Sequence, residues 1–229
     1  MHRRFGQFAC WPPNTPLALG DVGVLRRDRF DKATTLADLG IRSLPDETGT
    51  PTLLEYSSAD EVRLVIDGEA RAAAVLPPLE AKISISFARG GATFFQAAGA
   101  VKQSITNLPK LERELRPLLA RKIWRPEWAV VTSVQRTGPT IILVSDRRDA
   151  KVEFSVSADT LGPSIPLAAA AAGIEFGSMH GVGVRVVAPE GTTPLFGAAQ
   201  FRGRNRTLTY RTGGVELAEL GWDDVDAGE

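Results

Sequence analysis

"VRLVIDGEARAAAVLPPLEAKISISF" runs from Val62 to Phe87, and its reading decides the fold. At its end, Ile83, Ile85 and Phe87 alternate with Lys82, Ser84 and Ser86. Successive side chains of a strand point to opposite faces, so this alternation predicts a strand with one apolar and one polar face. At its start, Val62, Leu64 and Ile66 share a face opposite Arg63 and Asp67, with Val65 breaking the rhythm. Small residues and two prolines join the two segments. The pattern returns in "AKVEFSVSA", where Val152, Phe154 and Val156 oppose Lys151, Glu153, Ser155 and Ser157.

Other segments read outward from these. Pro12, Pro13 and Pro16 keep the first twenty residues extended. "DVGVL" reads as a short strand, and Leu36, Leu39 and Gly40 as a short helix with its stop. Residues 45–51 read as a loop. From residue 95 to 123 the period changes. Leu108, Leu111, Leu115, Leu118 and Leu119 form a helical stripe, with Pro117 expected to kink or split the helix. "WAVVTSVQRTGPTIILVS" predicts a hairpin turning at Arg136–Pro139. "GIEFGSM" and "GVGVRVVAP" predict further strands, and residues 202–212 a basic, loose stretch. These signals predict an α+β fold, a twisted and mostly antiparallel sheet with two or three packed helices. The expected organisation is one domain over 1–205, then a basic linker and a short acidic tail over 206–229.

Bulk properties narrow the function. The chain has 229 residues, 43% of them apolar and 24% charged, which is ordinary globular composition. Its 27 basic and 27 acidic residues balance, so no global field favours nucleic acid. One cysteine, Cys10, excludes an internal disulfide framework and a cysteine-based zinc site. Chemistry is sparse. His180 stands without companion ligands in "GSMHGVG" and reads as a loop or strand-end histidine more readily than as a ligand or base. "HGVGVR" lacks the third glycine and following helix of a dinucleotide loop. Asp146 and Asp149 in "SDRRDA" read as turn residues. The expectation is therefore a non-enzyme with no metal and no cofactor.

Two features point to surfaces. Arg202, Arg204 and Arg206 form a cluster that can bind phosphate groups, a solvated loop being the plain alternative. Cys10 lies between Phe8 and Trp11. It reads either as a thiol carrying an acyl chain at a bilayer interface or as a buried small hydrophobe.

The stretch from Val62 to Val144 resembles the N-terminal domain of gasdermins. The likeness lies in the Asp-Gly turn followed by "AKISI", the helix "ITNLPKLERELRPLL" and the strand pair opening with Val-Val-Thr. The resemblance implies a membrane pore-forming effector of cell death or antiviral defence. Such a protein is cytoplasmic when inactive and lodges in the cell membrane when active. It implies membrane lipid, an activating protease and further copies of the chain as partners. On that reading Cys10 is the lipidation site. Ile83, Ile85, Phe87, Val152, Phe154 and Val156 are the membrane-inserting faces, and Arg202, Arg204 and Arg206 meet headgroups. Val215, Leu217, Leu220 and Trp222 anchor the inhibitory tail. The competing readings are a non-catalytic binding or self-assembly module, and an enzyme with a scattered acidic site.

Overall fold

The alternating segments become strands in the computed structural model, which describes residues 7–10, 15–26, 29–42, 45, 47–58, 61–68, 80–157, 167–168, 174–188, 191–202 and 207–210. In chain order the strands are β1 (Phe8–Ala9), β2 (Asp21–Leu25), β3 (Phe30–Thr35), β4 (Glu47–Thr48), β5 (Thr52–Ser57), β6 (Val62–Gly68), β7 (Glu80–Phe87) and β8 (Thr93–Ser104). After the helix α1 (Leu108–Ala120) come β9 (Trp128–Thr137), β10 (Thr140–Ser145), β11 (Ala150–Ser157), β12 (Glu175–His180), β13 (Val182–Ala188), β14 (Thr192–Arg202) and β15 (Thr207–Tyr210). All the described ladders are antiparallel.

The α+β expectation is overturned. Strand makes up about 60% and helix about 10%, and among the described residues there is one α-helix, so the fold is largely β. The reason is local at 31–40. Thr34 and Thr35, β-branched and strand-favouring, extend β3. The Asp38 carboxylate then accepts the Thr35 N–H and hydroxyl, closing a side-chain turn where a helix was expected. The Asp38 carboxyl is held below its usual range first by the Thr35 hydroxyl bond. The predicted helix α1 forms and is not split at Pro117. The carbonyl that loses its partner there belongs to Arg113, which is exposed and so open to water. Asn107 caps the start by accepting the Lys110 N–H.

The stretch before the helix, Thr93–Ser104, is a 12-residue strand rather than the start of a new period. Nor do β9 and β10 form a hairpin. Each pairs with β8 instead: β9 with Val101–Ser104, β10 with Thr93–Ala97. Ala98 N–H donates to the Pro139 carbonyl and Gly138 N–H to the Ala98 carbonyl, so the "RTGP" turn is bonded to β8. The loose-looking residues 207–210 pair with β14, and Leu208 is buried.

The chain forms two compact units. The first takes its described residues from 7–51, Val101–Arg136 and 193–210. Leu111, Leu115 and Leu119 of α1 pack there with Val22, Trp124, Val130 and Phe201. A second cluster in the same unit contains Cys10, Leu17, Phe30 and Phe196.

The second unit comprises Thr52–Ala100 and Thr137–Thr192. It stacks two four-stranded layers. One has the order β5-β8-β10-β13, the other β6-β7-β11-β12. Each strand of one layer continues through a short crossing into the strand at the same place in the other: β5 to β6, β7 to β8, β10 to β11, β12 to β13. All four crossings lie at one end and are bonded together. Ala88 N–H donates to Glu61, Gly91 N–H to Ser145, and Asp146 N–H to Gly181. The Ser145 hydroxyl donates to the Arg89 carbonyl, 2.6 Å away. Gly181 has φ +66, and a Cβ there would lie 2.8 Å from Arg147 Nε. That left-handed conformation favours glycine, and a side chain there would displace Arg147.

Candidate functional site

The layer β6-β7-β11-β12 consists of two hairpins joined through the β7–β11 ladder. Their registers bring like residues into rows. Leu64, Ile85, Val152 and Met179 lie abreast across all four strands. The positions of Ile66, Ile83, Phe154 and Phe176 form a parallel row. Between them lie Val65, Ser84, Glu153 and Ser178, whose side chains belong to the opposite face. The next row is Arg63, Ser86, Lys151 and His180.

The apolar face is the inner one. Ile83, Ile85, Phe87, Val152, Phe154 and Val156 are buried against Phe94, Ile141, Leu143 and Leu167. Phe154 meets Phe176 at 5.6 Å, and the Arg185 guanidinium stands 4.5 Å over the Phe176 ring. Gln96 accepts the Ala168 N–H at 2.8 Å, fixing the turn that carries Leu167. At the two margins the apolar face runs out into solvent, with Leu64 41% and Met179 46% exposed.

The other face is polar and wet. Glu153 pairs with Lys151 at 2.5 Å and accepts the Ser178 hydroxyl at 2.7 Å. The Lys151 bond, then the Ser178 bond, holds the Glu153 carboxyl below its ordinary range. At the corner of the layer an Arg147 Nη lies 2.9 Å and 3.1 Å from the two ring nitrogens of His180. Asp146 and Asp149 belong to the β10–β11 crossing, Asp149 with φ 60.

Six residues named from sequence therefore come together on one face. Leu64, read from the sequence on the apolar face of its own strand, joins that face, and Phe176 and Met179, which were not named, complete it. Phe176 and Met179 are three residues apart, which simple alternation puts on opposite faces. The register shift between Glu153 and Phe154 resets the phase opposite Gly177. A glycine inside a strand pattern was the available signal.

The remaining predicted residues lie elsewhere. Cys10 is 3% exposed, in the core of the first unit. Its thiol donates to the Thr15 carbonyl at 3.3 Å and its N–H to Pro194 at 2.8 Å. Burial pushes the thiol up to about 11, opposed by the Thr15 bond. In this conformation it is a protonated core group. Arg202 is exposed at the end of β14, while Arg204, Arg206, Val215, Leu217, Leu220 and Trp222 lie outside the described residues.

Among the described residues no group of three or more His, Cys, Asp or Glu is placed to hold a metal ion. No described helix is long and apolar enough to cross a membrane. No protein-family model and no curated protein matches the chain.

Proposed function

We propose that this chain is a pore-forming effector of the gasdermin kind, soluble while a C-terminal tail is attached and released by proteolysis. The observation that supports it most is the matched order of the two layers in the second unit. Four strands are each folded back at one common line. Straightened about that line, they become four long antiparallel strands. Each then exceeds the roughly 9–11 residues that a tilted crossing strand needs, although β6, β7, β11 and β12 alone, at 6–8 residues, do not.

The rows supply the faces. A barrel wall needs apolar residues toward lipid and polar residues toward the lumen, in strict alternation. The layer has this alternation in register on its two central strands, β7 and β11, while Val65 interrupts the polar row on β6 and the shift at Gly177 resets the phase on β12. Six inward side chains at about 1.5–3 kcal/mol each make exposing that face to water cost on the order of 10 kcal/mol. That is comparable to a whole domain's stability, roughly 5–15 kcal/mol. Opening into water is therefore disfavoured, and hydrocarbon removes most of the penalty.

Assembly follows from the edges. β6 and β12 are the outer strands of the layer. An even number of alternating strands lets β12 of one copy lie antiparallel to β6 of the next. Closure among copies removes the open edges that lipid does not tolerate. The acylation of Cys10 on this reading requires the first unit to release its N-terminal segment.

The test is dye release from liposomes by full-length protein and by protein lacking residues 212–229. Leakage only after truncation supports the proposal; a folded truncated protein that releases no dye refutes it. Among the described residues the outer edges of β6 and β12 have no strand partner, which also favours a second reading, a self-assembly module pairing edge to edge. That reading expects stable oligomers in buffer without lipid.

A further inference from the structure

We propose that the outer edge of β13 is a homodimer interface, on which a second copy of this chain lays its own β13 antiparallel about a twofold axis at Val186. β13 ends the layer β5-β8-β10-β13, and among the described residues no strand pairs with its other side. An open edge presents unpaired N–H and C=O groups, and proteins ordinarily guard such edges with charge, shortness or a bulge. The other outer strands of this unit carry exposed charge: Glu55 on β5, Arg63 on β6 and Glu175 on β12. β13 reads Val-Gly-Val-Arg-Val-Val-Ala, with a single charge. That charge is turned aside, because the Arg185 guanidinium stands 4.5 Å over the Phe176 ring of β12.

The register selects the partner. Two copies joined by a twofold axis normal to the sheet keep each face continuous, so the axis passes through one residue. An axis at Val184 runs the pairing through a bulge. Val184 lies opposite Val144 and Val182 opposite Ser145, which leaves Gly183 as the extra residue. An axis at Arg185 sets two guanidinium groups directly opposite one another, which is destabilising. An axis at Val187 pairs only Val186 to Ala188 before the strand ends. An axis at Val186 pairs the whole straight stretch from Val184 to Ala188. Val186 then meets its own copy, Val184 meets Ala188, and Arg185 meets Val187. Within the fold, Val184 and Val186 lie opposite Val144 and Ile142 of β10, both buried. The second copy therefore continues an apolar row that already crosses the layer through Phe95, Ile142 and Val186.

This contact is isologous and stops at two copies. It differs from pairing of β6 with β12, which uses two different edges and can add copies without end. It needs neither lipid nor proteolysis, so it stands apart from the pore reading.

The test is sedimentation of the full-length protein in buffer without lipid, joined to disulfide trapping. Wild type should sediment at twice 24.6 kDa. Val186→Lys sets two ammonium groups on the axis and should weaken association roughly tenfold or more, with a melting curve to show that it folds. Val186→Cys in a Cys10→Ala background serves where the lysine variant does not fold. Its two Cβ atoms would lie about 4.5–5.5 Å apart, so oxidation should yield a covalent dimer. Arg185→Cys in the same background lies two positions, about 7 Å along the strand, from its own copy and should not link. A wild type that stays monomeric over its soluble range, equal linking by the two cysteine variants, or a folded Val186→Lys that dimerises like the parent overturns the interface. Assemblies larger than two copies that Val186→Lys leaves unchanged also overturn it and point to β6 and β12. Dye release from liposomes is measured separately and is not decided by any of these results.

Discussion

Met179 separates the two states of the proposed cycle most cleanly. It sits 46% exposed at the margin of the apolar face, abreast of Val152. Replacement by lysine keeps an alkyl stem at an exposed edge, so Met179→Lys should change soluble stability by about 0.5 kcal/mol or less. For a chain of this size that shifts Tm by about 1–2 °C. In a barrel wall the same position faces lipid. A lysine there costs about 2–4 kcal/mol near the midplane, or roughly 30- to 1000-fold per copy. Dye release by truncated protein should therefore collapse while the melting curve barely moves. Ser178→Lys is the control, one residue away on the lumen-facing row, and should leak like the parent. If Met179→Lys leaks as well as wild type, or if both variants fail equally, the assignment of faces is wrong.

Other expectations follow from the same geometry. Ile85→Ala removes a fully buried side chain, and urea unfolding should show a loss of about 2–5 kcal/mol. Cysteines at the register pair Ser84 and Glu153 tie the two hairpins together. If the layer travels whole, oxidising that pair leaves dye release intact, and a block to leakage shows that the hairpins move apart. Cys10 carries a pH signature. Its thiol is raised from 9.0 to about 11 in the folded state. Its contribution is complete below 9.0 and is lost as pH rises from there through about 11. Wild type should lose stability relative to Cys10→Ala across that window in urea titrations; parallel curves would contradict the burial.

What the sequence disclosed depended on how local each signal was. The alternation of Ile83–Phe87 and Val152–Val156 needs only neighbouring residues, and those strands formed with the expected inner face. The leucine stripe of α1 was equally local. Thr93–Ser104 was hidden because its alanines and glycine show no period, and its place is set by the four other strands that pair with it. The false hairpin at Arg136–Pro139 has the same origin: turn residues mark a break in the chain, not which strand lies alongside. Of the candidate face, the central strands were legible, but the rows were not. Rows are a property of register, and register is fixed by long-range pairing and the shift opposite Gly177.

The four crossings between the two layers lie together in one seam, tied by backbone bonds from one crossing to the next. A residue inserted into that seam would displace four strand pairs at once. The seam is thus where this unit tolerates length change least, and where a crosslink would most directly report whether the two layers part.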